Sequence, residues 1–292
     1  MRIGITGATG FIGRHLAASA IDGGHEVVAY SRRPGSGLTQ PKQAPHALPE
    51  TPLDVLVHLS GESLMGLWTY EKRDLIWKSR VDFTEALVAH LGSWKTENRP
   101  KVLVCASGAG FYGNCGADAV DESSPRGEGF LADVCAGWEM AAHRAEALGL
   151  RVITLRTGMV LGRDGGAFPL LRRVFGCGLG GRLGSGQQWM SWIHIEDAVQ
   201  ILLKAITTET VRGPVNLCAP EAVTNAEFTQ KLAAALHRPA WFHAPAFALK
   251  LLLRGMADEM LLSGQRVIPR VASEMGYGFT YPDIACALKA LV

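Results

Sequence analysis

Short apolar runs alternate with longer stretches of helical periodicity through the first half of the chain. Arg2 to Thr6 reads as a strand, Arg14 to Asp22 as a helix, His25 to Ser31 as a second strand and Asp54 to Leu59 as a third. A helix is expected from about Tyr70 to Leu91, a strand at Lys101 to Ala106, a helix from about Leu131 to Leu148 and a strand at Arg151 to Arg156. Near-continuous apolar strands separated by helices predict an α/β fold with a doubly wound parallel sheet, covered by helices on both faces. The segment from Pro34 to Pro52 holds five prolines and no periodicity, so an irregular crossover is expected there.

Beyond Gly158 the rhythm changes. A Gly-rich segment runs from Gly176 to Gly186, a short strand is expected near Trp189 to His194, and helices near Glu196 to Thr207 and Asn225 to Leu236. Val215 to Leu217 is apolar enough to re-enter the sheet. The expected division is a binding domain at 1–157, its sheet completed by residues near 190–217, and a smaller C-terminal α/β lobe at 158–292.

Composition narrows the class. A chain of 292 residues with 48% hydrophobic and 19% charged residues has enough apolar material for a sizeable core. Its 29 basic and 27 acidic residues leave +2, too little to draw nucleic acid or a membrane surface by bulk charge. Cys105, Cys115, Cys135, Cys177, Cys218 and Cys286 stand at wide spacings without a CxxC pair, so reduced core thiols and no metal site are expected. No window reaches the roughly 18 apolar residues that a membrane span needs. The expected location is the cytoplasm.

The chemistry begins at Thr6-Gly7-Ala8-Thr9-Gly10-Phe11-Ile12-Gly13, directly after a strand and directly before a helix. In that context the first glycine permits a tight turn, the second lets backbone N–H groups approach a phosphate, and the third lets helix and strand pack closely. The helix N-terminus supplies the positive end for an anion. This is a Rossmann-type dinucleotide loop. Leu59, Ser60 and Gly61 follow the third strand, where the adenosine half would cross the sheet edge. Ser31-Arg32-Arg33 ends the second strand, where a carboxylate would be expected for NAD. Guanidinium groups there match a 2′-phosphate in charge and fork geometry, so the expected cofactor is NADP(H). A solvated arginine pair before a proline turn is the competing reading.

TGATGFIG, HLSGE at His58 to Glu62 and RTGMVLG at Arg156 to Gly162 resemble the extended short-chain dehydrogenases/reductases. Trp68 to Val81, Gly129 to Glu139, WIHIEDA at Trp192 to Ala198, and GQRVIP at Gly264 to Pro269 are similar to one branch, the uncharacterised epimerase-family proteins described as nucleoside-diphosphate-sugar epimerases. The resemblance makes residues 245–292 a small branch-specific domain of unknown function. It implies a small-molecule substrate, a nucleotide sugar among the options, and leaves a homodimer open.

The wider family works through a Ser or Thr, a Tyr and a Lys, with the last two spaced YxxxK. Four residues after Tyr30, Tyr70, Tyr112, Tyr277 and Tyr281 stand Pro34, Asp74, Gly116, Tyr281 and Ala285, so the dyad is absent. Alignment on Glu139 puts Leu131 at the Tyr position and Cys135 at the Lys position. Ser107 falls at the family's serine, either catalytic or satisfying a strand end. Tyr112 is the candidate substitute phenol, with no activating cation evident in the sequence. Cys135 reads as a nucleophile or, more simply, as a buried apolar thiol.

His194 is expected at the substrate cleft or in the cap region of a helix, and Glu62 toward the cleft. Arg80 is expected near the cofactor or on a helix surface. Trp189, Met190 and Trp192 form either an apolar lid or ordinary core. Two functions remain open: an NADP(H)-dependent oxidoreductase or epimerase using Tyr112, Ser107 or a water as acid, and a non-catalytic NADPH-binding sensor or regulatory protein.

Overall fold

The computed structural model describes residues 1–30 and 48–292. Ser31, Arg32 and Arg33, and most of the expected Pro34–Pro52 crossover, lie outside the described residues. The first half runs β1 (Arg2–Thr6), α1 (Phe11–Asp22), β2 (Glu26–Tyr30), β3 (Val55–His58), α2 (Tyr70–Lys78), α3 (Val81–Ser93), β4 (Val102–Gly108), β5 (Ala119–Val120), α4 (Phe130–His143) and β6 (Arg151–Thr157). The second half adds β7 (Met159–Gly162), β8 (Gly165–Gly166), α5 (Phe168–Gly176), β9 (Gly181–Leu183), β10 (Trp189–Met190), β11 (Trp192–His194), α6 (Ile195–Thr207) and β12 (Gly213–Leu217). It ends with β13 (Val223–Thr224), α7 (Asn225–Leu236), β14 (Phe242–Ala244), α8 (Ala246–Leu253), β15 (Arg266–Val267), α9 (Arg270–Glu274) and α10 (Ile284–Leu291).

The main sheet has the order β2-β1-β3-β4-β6-β12 and every pairing in it is parallel. The chain leaves β1 on one side for β2 and returns on the other for β3. That reversal opens a crevice at the carboxyl ends of β1 and β3, the position where such sheets bind ligands. Side-chain alternation along the strands feeds two cores. Val55 and Val57 point with Ile3, Ile5 and Ile153 toward α1 and α6, whereas Leu56, Leu103 and Val152 face α3 and α4.

The expected helix from Tyr70 to Leu91 is two helices. The Ser79 hydroxyl donates to the Ile76 carbonyl, Arg80 folds back toward the same carbonyl, and α3 starts afresh at Val81. Only α3 then lies along the sheet, burying Leu87, Val88 and Leu91. The predicted helix to Leu148 likewise ends as an α-helix at His143 and finishes as a tighter 3₁₀ stretch at Arg144–Leu148.

The C-terminal lobe has its own core, in which Phe168, Trp192, Phe228 and Leu288 are fully buried. Trp192 is therefore a core residue. Trp189 is half-buried, with the Arg266 guanidinium 4.9 Å from its ring. The lobe returns to the first half where β15 pairs with β5. Cysteine usage is less uniform than expected: Cys105, Cys135 and Cys218 are buried, but Cys177 and Cys286 are exposed, on the end of α5 and the outer face of α10.

The turn between β1 and α1 is closely packed. A Cβ on Gly13 would lie 2.3 Å from the Gly7 carbonyl oxygen, and Gly7 itself has φ +74° against the end of β3. Gly13→Ala is expected to cost about 1–3 kcal/mol through forced separation of α1 from β1. Urea unfolding of the two proteins checks it.

Candidate functional site

The crevice is lined first by the N-terminus of α1. Gly10 is its N-cap and offers no side chain, the first turn carries no acidic residue, and Thr9 and Gly10 are exposed. Some other helices of this chain are closed by their own cap side chains: Thr69 caps α2, Thr224 caps α7 and Asp283 caps α10. The amides of Phe11, Ile12 and Gly13 thus begin a helix whose cap residue supplies no side-chain acceptor, which fits a dinucleotide pyrophosphate.

Phe11 is held from the far side by glycines. A Cβ on Gly162, Gly165 or Gly166 would strike its ring at 2.3–2.8 Å. Arg14 and His15 anchor to Asp164 in the same hairpin, at 2.9 Å and 3.0 Å. The glycines of that hairpin carry no sequence spacing that announces such a role. Leu59, Ser60 and Gly61 face the glycine turn, with the Leu59 amide donating to the Thr6 carbonyl at 3.1 Å.

Arg80 stands at the same edge. It donates to the Glu62 carbonyl at 2.9 Å, its guanidinium carbon is 5.2 Å from the Trp138 ring centroid, and it abuts Gly61. Burial lowers its pKa. It is part of the crevice wall rather than a surface residue. Glu62 accepts from Lys72 at 2.7 Å. Below them His58 is fully buried, its Nδ1 2.7 Å from the Thr6 hydroxyl and its ring stacked on Phe83.

Ser107 and Tyr112 do come close together, but in a closed network. The Ser107 hydroxyl donates to Glu139 at 2.7 Å. Glu139 accepts two further bonds from Arg156, both 2.9 Å, in a pair whose side chains are 6% and 8% exposed. Arg156 also donates to the Tyr112 hydroxyl at 3.1 Å, and that hydroxyl donates to Asn216 at 2.7 Å. Glu122 ties the Asn216 amide to the Val271 amide. Tyr112 has the neighbouring cation that the sequence did not reveal, yet burial still pushes its phenol up to about 12. Its proton is committed to Asn216. The sequence reading missed Arg156 and Asn216; their one signal is a charged or amide side chain within an otherwise apolar strand.

Leu131 and Cys135 both face the Gly108–Gly110 backbone. Burial, then the Glu139 charge, raises the Cys135 thiol to about 11, so it is a poor nucleophile at neutral pH. His194 is buried, accepts from the Glu196 amide as cap of α6, and packs 3.9 Å from the Tyr281 ring. Its neighbour Asp197 accepts from the Tyr277 hydroxyl and from the Thr280 and Tyr281 amides. Among the described residues no cluster of three or more His, Cys, Asp or Glu could hold a metal. No helix among them is long and apolar enough to cross a membrane.

A cavity of about 330 Å³ opens beside this network, between Gly110 and Leu131 on one side and the 250–265 segment on the other. Residues 3–218 match the model of the NAD dependent epimerase/dehydratase family, and residues 244–291 match a domain of unknown function, DUF1731. The chain belongs to the NAD dependent epimerase/dehydratase family. Within the family it is similar to the epimerase family protein ML0860 of Mycobacterium leprae, at 38% identity over 98% of this chain and 94% of that protein. The crystal structure of human epimerase family protein SDR39U1, isoform 2, with NADPH superposes with a TM-score of 0.89 at 34% identity, covering 100% of this chain and 99% of that one. A nucleoside-diphosphate sugar epimerase from Corynebacterium glutamicum gives 0.79 at 33% identity, over 99% of this chain and 57% of that one.

Two outcomes follow from the buried groups. Glu139→Gln leaves the Arg156 charge without its partner and is expected to cost about 3–5 kcal/mol in urea unfolding, whereas Ser107→Ala costs about 1 kcal/mol. Burial, then Arg80, lowers the His58 pKa from 6.5 to about 3. The unfolded chain therefore binds a proton that the folded chain refuses, and stability contributed by neutral His58 is full above pH 6.5 and falls as the pH drops from there toward 3. Replacing His58 with Asn should flatten that part of the stability profile, measured by thermal melts across the interval.

Proposed function

We propose that this chain binds NADP(H) and uses it in an oxidoreductase or epimerase reaction on a small molecule held in the cavity beside Leu131. The carrying observation is the uncapped N-terminus of α1, approached through Gly7, Gly10 and Gly13 and set at the point where the strand order reverses. The human relative crystallised with NADPH supports the same cofactor here. In this reading residues 1–157, with β12, hold the dinucleotide and 158–292 form the ligand lobe. The amides from Thr9 to Gly13 take the pyrophosphate, Leu59 to Gly61 flank the adenosine half, and Arg32 and Arg33 take the 2′-phosphate. Arg80 and Glu62 border the nicotinamide side.

When bound, the cofactor donates or accepts a hydride. The chain's own groups shape the rest. Leu131 and Cys135 give no phenol and no ammonium, Ser107 donates inward to Glu139, and Tyr112 donates to Asn216. The proton for a carbonyl oxygen then comes from water admitted to the cavity. That same commitment of both hydroxyls favours a second reading, in which NADPH is a sensed or structural ligand and no turnover occurs.

Fluorescence titration is expected to show NADPH bound at least about tenfold more tightly than NADH, with the gap closing in an Arg32→Ala, Arg33→Ala double variant. Equal binding of the two by the unaltered protein overturns the cofactor assignment. Absorbance at 340 nm with a panel of carbonyl compounds and nucleotide sugars then divides the two readings: oxidation of NADPH supports the enzyme, and silence with tight NADPH binding supports the sensor.

A further inference from the structure

The cavity beside Leu131 has an unusual charge arrangement for a member of a family that includes nucleoside-diphosphate sugar epimerases. Among the described residues its walls carry Glu128, Asp258 and Glu259 against one cation, Lys250. Lys250 is already paired with Asp258 at 2.8 Å. At about 330 Å³ the cavity lies at the low end of the roughly 300–1,000 Å³ spanned by ligand pockets.

The one ready anion seat in these walls is the N-terminus of α4, whose cap, Gly129, has no side chain to offer. That seat is filled from within. Glu259, on the wide helical turn Ala257–Leu261, accepts from the Phe130 amide at 3.0 Å through one oxygen and from the Leu131 amide at 2.8 Å through the other. Gly129 makes the approach possible, with φ +114° and a Cβ position only 3.1 Å from the Glu259 carboxylate. Arg73 adds a longer contact at 3.9 Å and lies 4.6 Å from the Phe130 ring centroid. A phosphate entering this cavity would have to displace Glu259 from two amides or sit beside it and Glu128, and like charges brought together in a confined space are strongly disfavoured.

We propose that Glu259 is a specificity-determining residue: it holds nucleoside diphosphates out, so the ligand of this cavity is a small polar carbonyl or alcohol without a phosphate. The C-terminal segment thereby decides the substrate class of a site whose other wall comes from the dinucleotide-binding half. The inference rests on reading the cavity as the ligand site of an NADP(H)-binding protein, and the NADPH titration tests that reading separately.

The test is calorimetric titration of the NADPH-saturated protein with UDP and with UDP-glucose, the cofactor crevice being filled. The unaltered protein is expected to show no saturable binding of either probe at millimolar concentration. Glu259→Gln keeps an acceptor for one amide and removes the charge, and is expected to raise UDP affinity by about tenfold or more. Asp258→Asn, which frees Lys250 without touching α4, is expected to act in the same direction and carries the test if the first variant folds poorly. Micromolar binding of UDP-glucose by the unaltered protein overturns the proposal, as does UDP affinity unchanged in both variants. A protein that fails to bind NADPH at the outset defeats the cofactor reading instead.

Discussion

Arg156 places a guanidinium in the buried interior beside the main sheet, and much of the site is built around satisfying it. A buried charge of this kind is tolerated only when it is paired and its donors are used. Glu139 on α4 supplies the two-pronged acceptor, Tyr112 supplies another, and the Glu122 carbonyl lies at 3.5 Å. Each of these partners comes from a different stretch of chain, so the pair ties α4, the loop after β4 and the loop after β5 to the carboxyl end of β6. Ser107 and Asn216 are then drawn in to complete the remaining valences.

That requirement has a chemical consequence. The Ser107 and Tyr112 hydroxyls are turned toward the interior, where Glu139 and Asn216 accept their hydrogen bonds. Leu131 and Cys135 stand on the face of α4 toward Gly110 and Gly108, so that face presents no acidic side chain there. The glycine turn at β1 is untouched by this, since it depends on backbone amides and close packing rather than on any titrating group. Cofactor binding and proton transfer thus draw on physically separable features of the fold.

The closure of α4 by Glu259 belongs to the same economy of anions. The start of α1 carries no acidic residue in its first turn, and the start of α4 at the cavity is covered by the C-terminal segment. The charge pattern therefore distinguishes two places that a backbone description alone would treat as equivalent anion seats.

The positions of β1, β2, β3, β4 and β6 and the glycine turn before α1 could be read from the residues because each depends on local properties: apolar runs of strand length, and glycines directly between a strand and a helix. The absence of YxxxK was equally legible, being a matter of spacing. The break at Ser79–Arg80 was not, since Glu62, far along the chain, receives the Arg80 guanidinium and helps turn the helix. Nor were the partners of Tyr112, which lie 44 and 104 residues away, or the seat of Glu259, 129 and 128 residues from the two amides it covers. Hydrogen bonds and ion pairs between such distant groups leave no periodic trace in a single chain. The sequence by itself determined that a dinucleotide loop is present and the usual dyad missing, and only the tertiary structure decided where the remaining protons and charges point.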